Sequence, residues 1–155
     1  MTPAQLTALK ADILASPDLA GFPNNSDGAF AIAALYNLPA SPNFTVWKTS
    51  VTLQEIMSNG FRWTDVDGLT AAKYRTWDLM NSLGTIDPSK PNVRQGIRDC
   101  WGAGSQQESA ILPHLKRLAT RGEKLFATGT GSDNSPATMT FEGNISYQDV
   151  EQARA

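Results

Sequence analysis

Hydrophobic residues recur at helical spacing from the start of the chain, where Leu6, Leu9 and Ile13 share one face. Thr2 and Gln5 have the spacing of a capping box, in which each residue's side chain binds the other's backbone N–H. A proline follows Thr2 at the first helical position, where no N–H is needed. The pattern therefore predicts a helix beginning at residue 3.

The same criteria predict further helices along the chain. They begin at Ser26 or Asp27, at about residue 52, at about residue 70 (ending near Leu83) and at about residue 93. The longest is predicted over roughly Gln106–Ala127, where the proline at position 113 should kink it or divide off its first turns. The predicted core consists of the apolar residues that fall on the inner faces of these segments. They are Leu6, Leu9, Ile13, Phe30, Ile32, Leu35, Trp47, Ile56, Leu79, Met80, Ile97, Leu115, Leu118 and Leu125.

β-Structure is predicted to be minor. Residues 44–51, "FTVWKTSV", are rich in β-branched and aromatic residues and fit either a strand or an extended connector. Near the end, "TMTFEG" and "NISYQ" flank a "GN" pair and fit a short hairpin, while Ser146 and Asp149 could instead cap a terminal helix. The predicted fold is mostly α, a single-domain helical bundle of five to seven helices.

A Gly/Ser/Thr-rich break, "TGTGSDNSP", separates a predicted helical core domain (1–127) from residues 128–155. These nine residues exceed what a tight turn inside a domain needs. The segment beyond them is interpreted as a tethered arm that binds a partner or as a hairpin folded onto its own domain. Its apolar residues, the expected arm contacts, are Met139, Phe141, Ile145, Tyr147 and Val150.

Composition places the chain among globular proteins, with 41% hydrophobic and 18% charged residues. The net charge of −2 gives no global basic field of the kind that attracts nucleic acid. A single cysteine, Cys100, fits a reducing compartment. Neither a signal-peptide pattern nor an apolar run of membrane-spanning length is visible, so we expect a soluble protein on the cytoplasmic side with no membrane partner.

Motifs with known chemistry fail on inspection. "DVDG" resembles the opening of a calcium loop, but the twelfth position is Thr76 and not glutamate. The glycine-rich Gly129–Ser135 lacks the Lys-Ser/Thr ending of a phosphate-binding loop. One histidine, His114, and one cysteine are too few for a zinc centre, and they have no nucleophile–base signature. We therefore expect no metal, no cofactor and no catalytic site, and hence a protein that is not an enzyme.

Basic residues cluster on one side of the predicted long helix. On a helical projection they occupy less than half of the circumference, opposite the apolar stripe. A one-signed face of this kind suits a polyanion or an acidic protein surface, although an ordinary solvated face explains it as well. The residues of this predicted interaction face are His114, Lys116, Arg117, Arg121 and Lys124.

Five segments together resemble a family of small, mostly uncharacterised proteins of tailed bacteriophages and prophages. They are "MTPAQLTALKADILA", "NLPASPNFTVWKTSVTLQEIM", "PSKPNVRQGI", "ATRGEKLFATGTGSDNSPATMTFEG" and "SYQDVEQARA". The resemblance implies a protein encoded among the genes for virion structure and assembly. It implies no catalytic residues.

These observations lead us to expect a virion structural protein, foremost a head–tail connector or adaptor at the neck. Small helical proteins form rings through heterologous contacts, so we expect a homo-oligomeric ring bound to portal, adaptor or tail proteins, with DNA contact in a channel as a further expectation. The alternatives are a tail or tail-assembly component and a phage-encoded regulatory or host-interacting protein. The expected location is the virion, and the host cytoplasm during assembly.

Overall fold

A computed structural model describes residues 1–82 and 84–155, and the protein is mostly α-helical with short antiparallel strand pairs. The described residues form ten α-helices, more than the five to seven predicted, and one 3₁₀ turn at Leu112–Leu115. The helices are α1 (Pro3–Ala15), α2 (Pro17–Ala20), α3 (Ser26–Tyr36), α4 (Leu53–Ile56), α5 (Trp63–Asp67), α6 (Ala71–Asn81), α7 (Pro91–Trp101), α8 (Gln106–Ile111), α9 (Arg121–Leu125) and α10 (Tyr147–Arg154).

The strands are two or three residues long. They are β1 (Thr45–Trp47), β2 (Val51–Thr52), β3 (Thr85–Ile86), β4 (Lys116–Leu118), β5 (Ala127–Thr128) and β6 (Thr138–Met139). They pair as β1 with β4, β2 with β3 and β5 with β6. The last two pairs are antiparallel, with Val51 opposite Ile86 and Ala127 opposite Met139. Residues 44–51 thus contain a strand, one of the two alternatives open from the sequence.

The chain forms two compact units instead of the single bundle predicted. The first consists of Met1–Thr45 and Leu118–Ala155, and the second is the intervening Val46–Arg117. Residues 128–155 therefore belong to the same unit as the N-terminal helices.

The first unit is built on α1, α3 and α10. Capping boxes begin α1 at Thr2 and α10 at Ser146, as the sequence indicates. Gly122 is buried, and the side chain of Ile145 lies against it. The buried residues of this core are Leu9, Ile13, Leu19, Ala29, Ile32, Ala33, Tyr36, Phe126, Ile145, Val150 and Ala153.

The second unit packs α4, α6, α7 and α8 around aromatic side chains. The rings of Trp77 and Trp101 meet edge to face with centroids 5.2 Å apart, and Phe61 lies 6.0 Å from Trp101. Aromatic pairs of this geometry contribute about 0.5–1.5 kcal/mol beyond the area that they bury. The buried residues of this core are Trp47, Val51, Ile56, Phe61, Trp77, Ile86, Ile97, Cys100, Trp101, Ile111 and Leu115.

The prediction of one long helix over 106–127 is wrong, but its alternative, that Pro113 divides off the first turns, is confirmed. Helix α8 ends at Ile111, and Pro113 lies in the 3₁₀ turn, because proline lacks the N–H that a continuing helix needs. After β4, Thr120 and Glu123 form a capping box, with the Glu123 carboxylate accepting from Thr120 N at 3.0 Å, and this begins the separate helix α9.

Three predicted core residues lie at the surface instead. Phe30 and Leu118 are each 54% exposed and Leu79 is 68% exposed. On α6 the buried residue is Trp77, which the projection did not select. Leu83, the predicted end of that helix, lies outside the described residues. The aromatic segment after Gly60, for which no helix was predicted, contains the short helix α5.

The C-terminal segment folds against its own chain. The hairpin formed is β5–β6, on either side of the Gly/Ser/Thr-rich loop, and not the one predicted around the "GN" pair. The capping-box alternative is confirmed, since Ser146 begins α10. Ile145 and Val150 are fully buried in the first unit's core, so the structure corresponds to the folded-back alternative and not to an extended arm.

Within the described part of the chain, no helix combines the length and the apolarity that crossing a membrane requires.

Candidate functional site

A cleft of about 740 Å³ opens on the first unit, between α1–α2, the loop after α3, and α9. Charged side chains from distant parts of the sequence meet here beside apolar ones. The residues that line it are Asp12, Asp18, Leu35, Leu38, Pro39, Ala40, Ser41, Arg121, Lys124 and Leu125.

Arg121 is the central charge of the cleft. Its guanidinium donates two hydrogen bonds to the Asp18 carboxylate, one of them from Nη2 to Oδ1 at 3.3 Å. The same Nη2 lies 4.0 Å from Asp12 Oδ2. The Tyr36 hydroxyl donates to that Asp12 oxygen at 2.6 Å, and the guanidinium carbon lies 5.2 Å from the centre of the Tyr36 ring. Two carboxylates, a phenol and a guanidinium thus form one connected network.

The backbone fixes this network on both sides. Arg121 N donates to Leu38 O at 2.9 Å, and Ala40 N donates to Ala119 O at 3.0 Å. These bonds hold the loop after α3 alongside the start of α9, and the capping box at Thr120 sets where that helix begins. The cleft wall is therefore held by main-chain bonds and does not depend on side chains alone.

Ionisation follows from these contacts. The hydrogen bond from Arg121 lowers the pKa of the Asp18 carboxyl, and the same bond raises the pKa of Arg121. Burial, together with the hydrogen bond to Asp12, raises the pKa of the Tyr36 hydroxyl well above its usual range. At neutral pH the Asp18 carboxylate is paired with the Arg121 cation, and the neutral Tyr36 phenol donates into the same network.

Lys124 adds a second cation one helical turn along α9. Its Nζ lies 5.6 Å from the centre of the Phe44 ring, within cation–π distance. The cleft thus contains two acidic and two basic side chains around apolar residues such as Leu38, which is 54% exposed. This mixed arrangement suits a polypeptide surface better than a polyanion, which would meet two carboxylates here.

The predicted basic face does not exist as one helical surface, because its residues fall on three different elements. His114 lies on the 3₁₀ turn, Lys116 and Arg117 on β4, and Arg121 and Lys124 on α9. The structure brings only the last two together in the cleft. His114 Nε2 lies 3.0 Å from the carbonyl oxygen of Asn59, inside the second unit.

The five residues proposed as arm contacts have partners within the first unit. Phe141 meets the ring of Phe126 edge to face at 5.5 Å, and Tyr147 stacks on Phe30 at 4.0 Å. Ile145 and Val150 are core residues, and Met139 is half-buried on β6.

Cys100 is a buried side chain on α7 whose sulfur donates to the carbonyl oxygen of Lys73 at 3.6 Å. Burial raises the pKa of this thiol, which disfavours the nucleophilic thiolate. Across residues 1–82 and 84–155, no group of three His, Cys, Asp or Glu side chains is placed to hold a metal ion.

No sequence motif indicates the partners of Arg121. Asp18 is 103 residues away, and neither it nor Asp12 lies in a motif. Of the charged residues in the cleft, the sequence pattern selected Arg121 and Lys124. It did so through their helical spacing, on a helix that was predicted to be too long.

Comparison of the chain with protein-family models, with curated proteins and with solved structures finds no match.

Removing the Arg121 cation tests the network. Because the pKa of Asp18 is lowered in the folded protein, the pair stabilises the fold above the unfolded carboxyl pKa of about 4, and this stabilisation is lost as pH falls through the folded pKa. We expect Arg121→Gln to lower the melting temperature at pH 7, with the difference from the parent protein shrinking in acid. Thermal melts across this pH range measure it.

Lys124→Gln is the matched control, since it removes a cation from the same helix without touching Asp18. If the decrease in melting temperature caused by Arg121→Gln did not depend on pH, it would come from lost packing over the Tyr36 ring and not from the ion pair with Asp18.

Proposed function

We propose that this protein is a non-enzymatic structural component of a tailed-phage virion, acting at the neck as a head–tail connector or adaptor through protein–protein contacts. The observation that carries the proposal is that each compact unit exposes large apolar side chains of its own. In the first unit these are Leu14, Phe30, Leu38 and Leu118, and in the second they are Trp63, Tyr74 and Leu79.

Scattered apolar side chains are normal on any protein surface, so their degree of exposure matters. Leu14 and Leu79 are 69% and 68% exposed, and Trp63 is 62% exposed. A ring of identical subunits needs two different surfaces on each subunit, one for each neighbour. Two units with separate exposed apolar sets offer such surfaces.

The cleft of the first unit supports a protein partner. Leu38 is exposed in the same cleft as the Arg121–Asp18 pair. An apolar side chain next to charged ones resembles the apolar centre and polar rim of a protein interface. Because Arg121 is already paired with Asp18, the cleft offers less positive charge to DNA than a bare basic stripe would. We therefore propose portal, adaptor or tail proteins as partners, in the virion and in the host cytoplasm during assembly.

Mass spectrometry of purified particles, followed by electron microscopy of a deletion mutant, tests the proposal. A neck protein is expected in particles at a stoichiometry set by symmetry, and its deletion should leave separate heads and tails. Defective tails in the mutant would assign it to the tail instead. Absence from particles would indicate the regulatory alternative.

Charging an exposed apolar position should impair assembly without unfolding the chain. We expect Leu79→Asp to change the free energy of unfolding by no more than about 0.5 kcal/mol, as is usual for surface substitutions. Its incorporation into particles should fall severalfold, because a carboxylate would then be buried in the contact.

The matched control is Asn92→Asp, which adds the same charge at another exposed position of the second unit. If both variants were incorporated into particles equally well, Leu79 would not be part of the proposed interface.

A further inference from the structure

Helix α6 of the second unit is buried through one side chain only. Of its eleven residues Trp77 alone is buried, and eight are exposed. Ala72, Arg75 and Leu79 are three of the exposed residues, and their spacing places them along the side of the helix opposite Trp77. These three residues are called the α6 stripe. Leu79 has the highest exposure of the large apolar side chains in this unit.

Helix α3 of the first unit has a similar outer side. Asp27, Phe30 and Ala34 are exposed, follow one another at the same spacing of three and then four residues, and lie opposite the buried Ile32. They are called the α3 stripe. The Phe30 ring stacks on Tyr147 of α10 with the centroids 4.0 Å apart, which fixes its position at the surface.

Each stripe includes one charge without a partner in its own chain. Within residues 1–82 and 84–155, neither the Asp27 carboxylate nor the Arg75 guanidinium forms a hydrogen bond or an ion pair. Asp27 lies three residues before Phe30, and Arg75 lies four residues before Leu79, so each charge is one helical turn from a large exposed apolar side chain. The two stripes therefore have the same layout and opposite charge.

The two units also differ in the sign of their overall charge. The first unit contains eight Asp and Glu residues against four Lys and Arg, and the second contains seven against nine. Their side chains carry formal net charges of −4 and +2. A contact between unlike units of two copies brings opposite charges together, whereas a contact between like units brings equal charges together. This complementarity favours a second copy of the chain as the partner of each stripe.

We propose that the α3 stripe of one copy of this chain binds the α6 stripe of a second copy. Aligned in parallel, the two stripes place Asp27 opposite Arg75 and Phe30 opposite Leu79, so that the ion pair forms next to the apolar contact. The contact is heterologous, because it joins two different surfaces of identical subunits. It rests on the proposed function, whose ring of subunits needs a contact of this kind.

The purified full chain tests the contact apart from any particle. Sedimentation velocity over a series of concentrations measures the self-association of the parent chain, of Asp27→Arg and of Arg75→Asp. We expect each single variant to associate more weakly by about tenfold or more, because like charges then face each other. Lys90→Asp, which makes the same charge change at another exposed position of the second unit, should associate like the parent chain.

A mixture of the two single variants gives the sharpest result. In an equimolar mixture the reversed charge of Asp27→Arg faces the reversed charge of Arg75→Asp, and the unchanged Asp27 and Arg75 face each other. We therefore expect the mixture to associate like the parent chain, and the chain with both substitutions to do the same. A single variant that had merely lost its fold would not be rescued by mixing.

Three results would overturn the contact. The first is a parent chain that stays monomeric up to its solubility limit. The second is self-association of both single variants at the level of the parent chain. The third is a mixture that associates no better than either single variant.

This contact and the virion role can fail separately. A chain that is found in purified particles but does not self-associate would keep the neck role and exclude the contact between the stripes. Rescue by mixing, together with absence of the chain from particles, would keep the contact and exclude the virion role.

Discussion

Truncation after Ala127 is expected to unfold the first unit. The lost residues include Ile145, Val150 and Ala153, all buried against α1 and α3. Burial of each large side chain contributes about 1.5–3 kcal/mol, and folded domains have only about 5–15 kcal/mol of net stability. Removing α10 would also expose the apolar faces of α1 and α3 that it covers.

Circular dichroism and a thermal melt measure this outcome. The truncated chain should lose helical signal well beyond the eight residues of α10 and show no cooperative transition from the first unit. Val150→Ala should stay folded with a lower melting temperature, and Gln152→Ala, at an exposed position of the same helix, should match the parent protein. A truncated chain that melts like the full one would restore the tethered-arm interpretation.

The polar break before this segment did not predict whether the segment packs on its own domain. "TGTGSDNSP" indicated a loop correctly, since it connects β5 and β6, but a loop's length does not determine whether the next segment returns to its own core. That depends on whether α1 and α3 leave an apolar face uncovered. The apolar residues after the break were the better signal, because Ile145 and Val150 are buried in the core of the first unit and Phe141 and Tyr147 pack against it.

Local signals predicted helix starts well. The capping boxes at Thr2–Gln5, Thr52–Glu55 and Ser146–Asp149 all form, because each depends on four consecutive residues only. Helix length was predicted poorly where one such signal was overlooked. Thr120 and Glu123 begin a new helix inside the segment assumed to be continuous, and the projected basic face was lost with it.

The candidate site could not be predicted, because it depends on pairings between distant residues. Arg121 contacts Asp18 across 103 residues, and the side-chain amide of Gln107 accepts from the backbone N–H of Arg62 across 45. Composition and periodicity carry no information on such pairs. They specify the class of fold, mostly α with minor β, and part of its cores, such as Leu9, Ile32 and Leu115.

Gly28→Ala is expected to destabilise the protein, against what helix propensity predicts. Gly28 lies in the first turn of α3, where its N–H donates to the side chain of the N-cap residue Asn25. Alanine is the better helix former by about 1 kcal/mol, so propensity alone predicts a gain. A Cβ at this position, however, would overlap the carbonyl oxygen of Pro23, a backbone atom that cannot rotate away. Overpacking of this kind costs about 1–3 kcal/mol, occasionally more.

Gly21→Ala provides the matched comparison. Gly21 ends α2 with φ of −79°, which alanine adopts without strain, and a Cβ there meets no atom within 4 Å. We expect this variant to be neutral or more stable by up to about 1 kcal/mol, because alanine restricts the unfolded chain. Urea denaturation of both variants gives the two free energies of unfolding. If Gly28→Ala proves as stable as Gly21→Ala, the turn before α3 must relax freely, and the close approach of Pro23 would not be what requires glycine at this position.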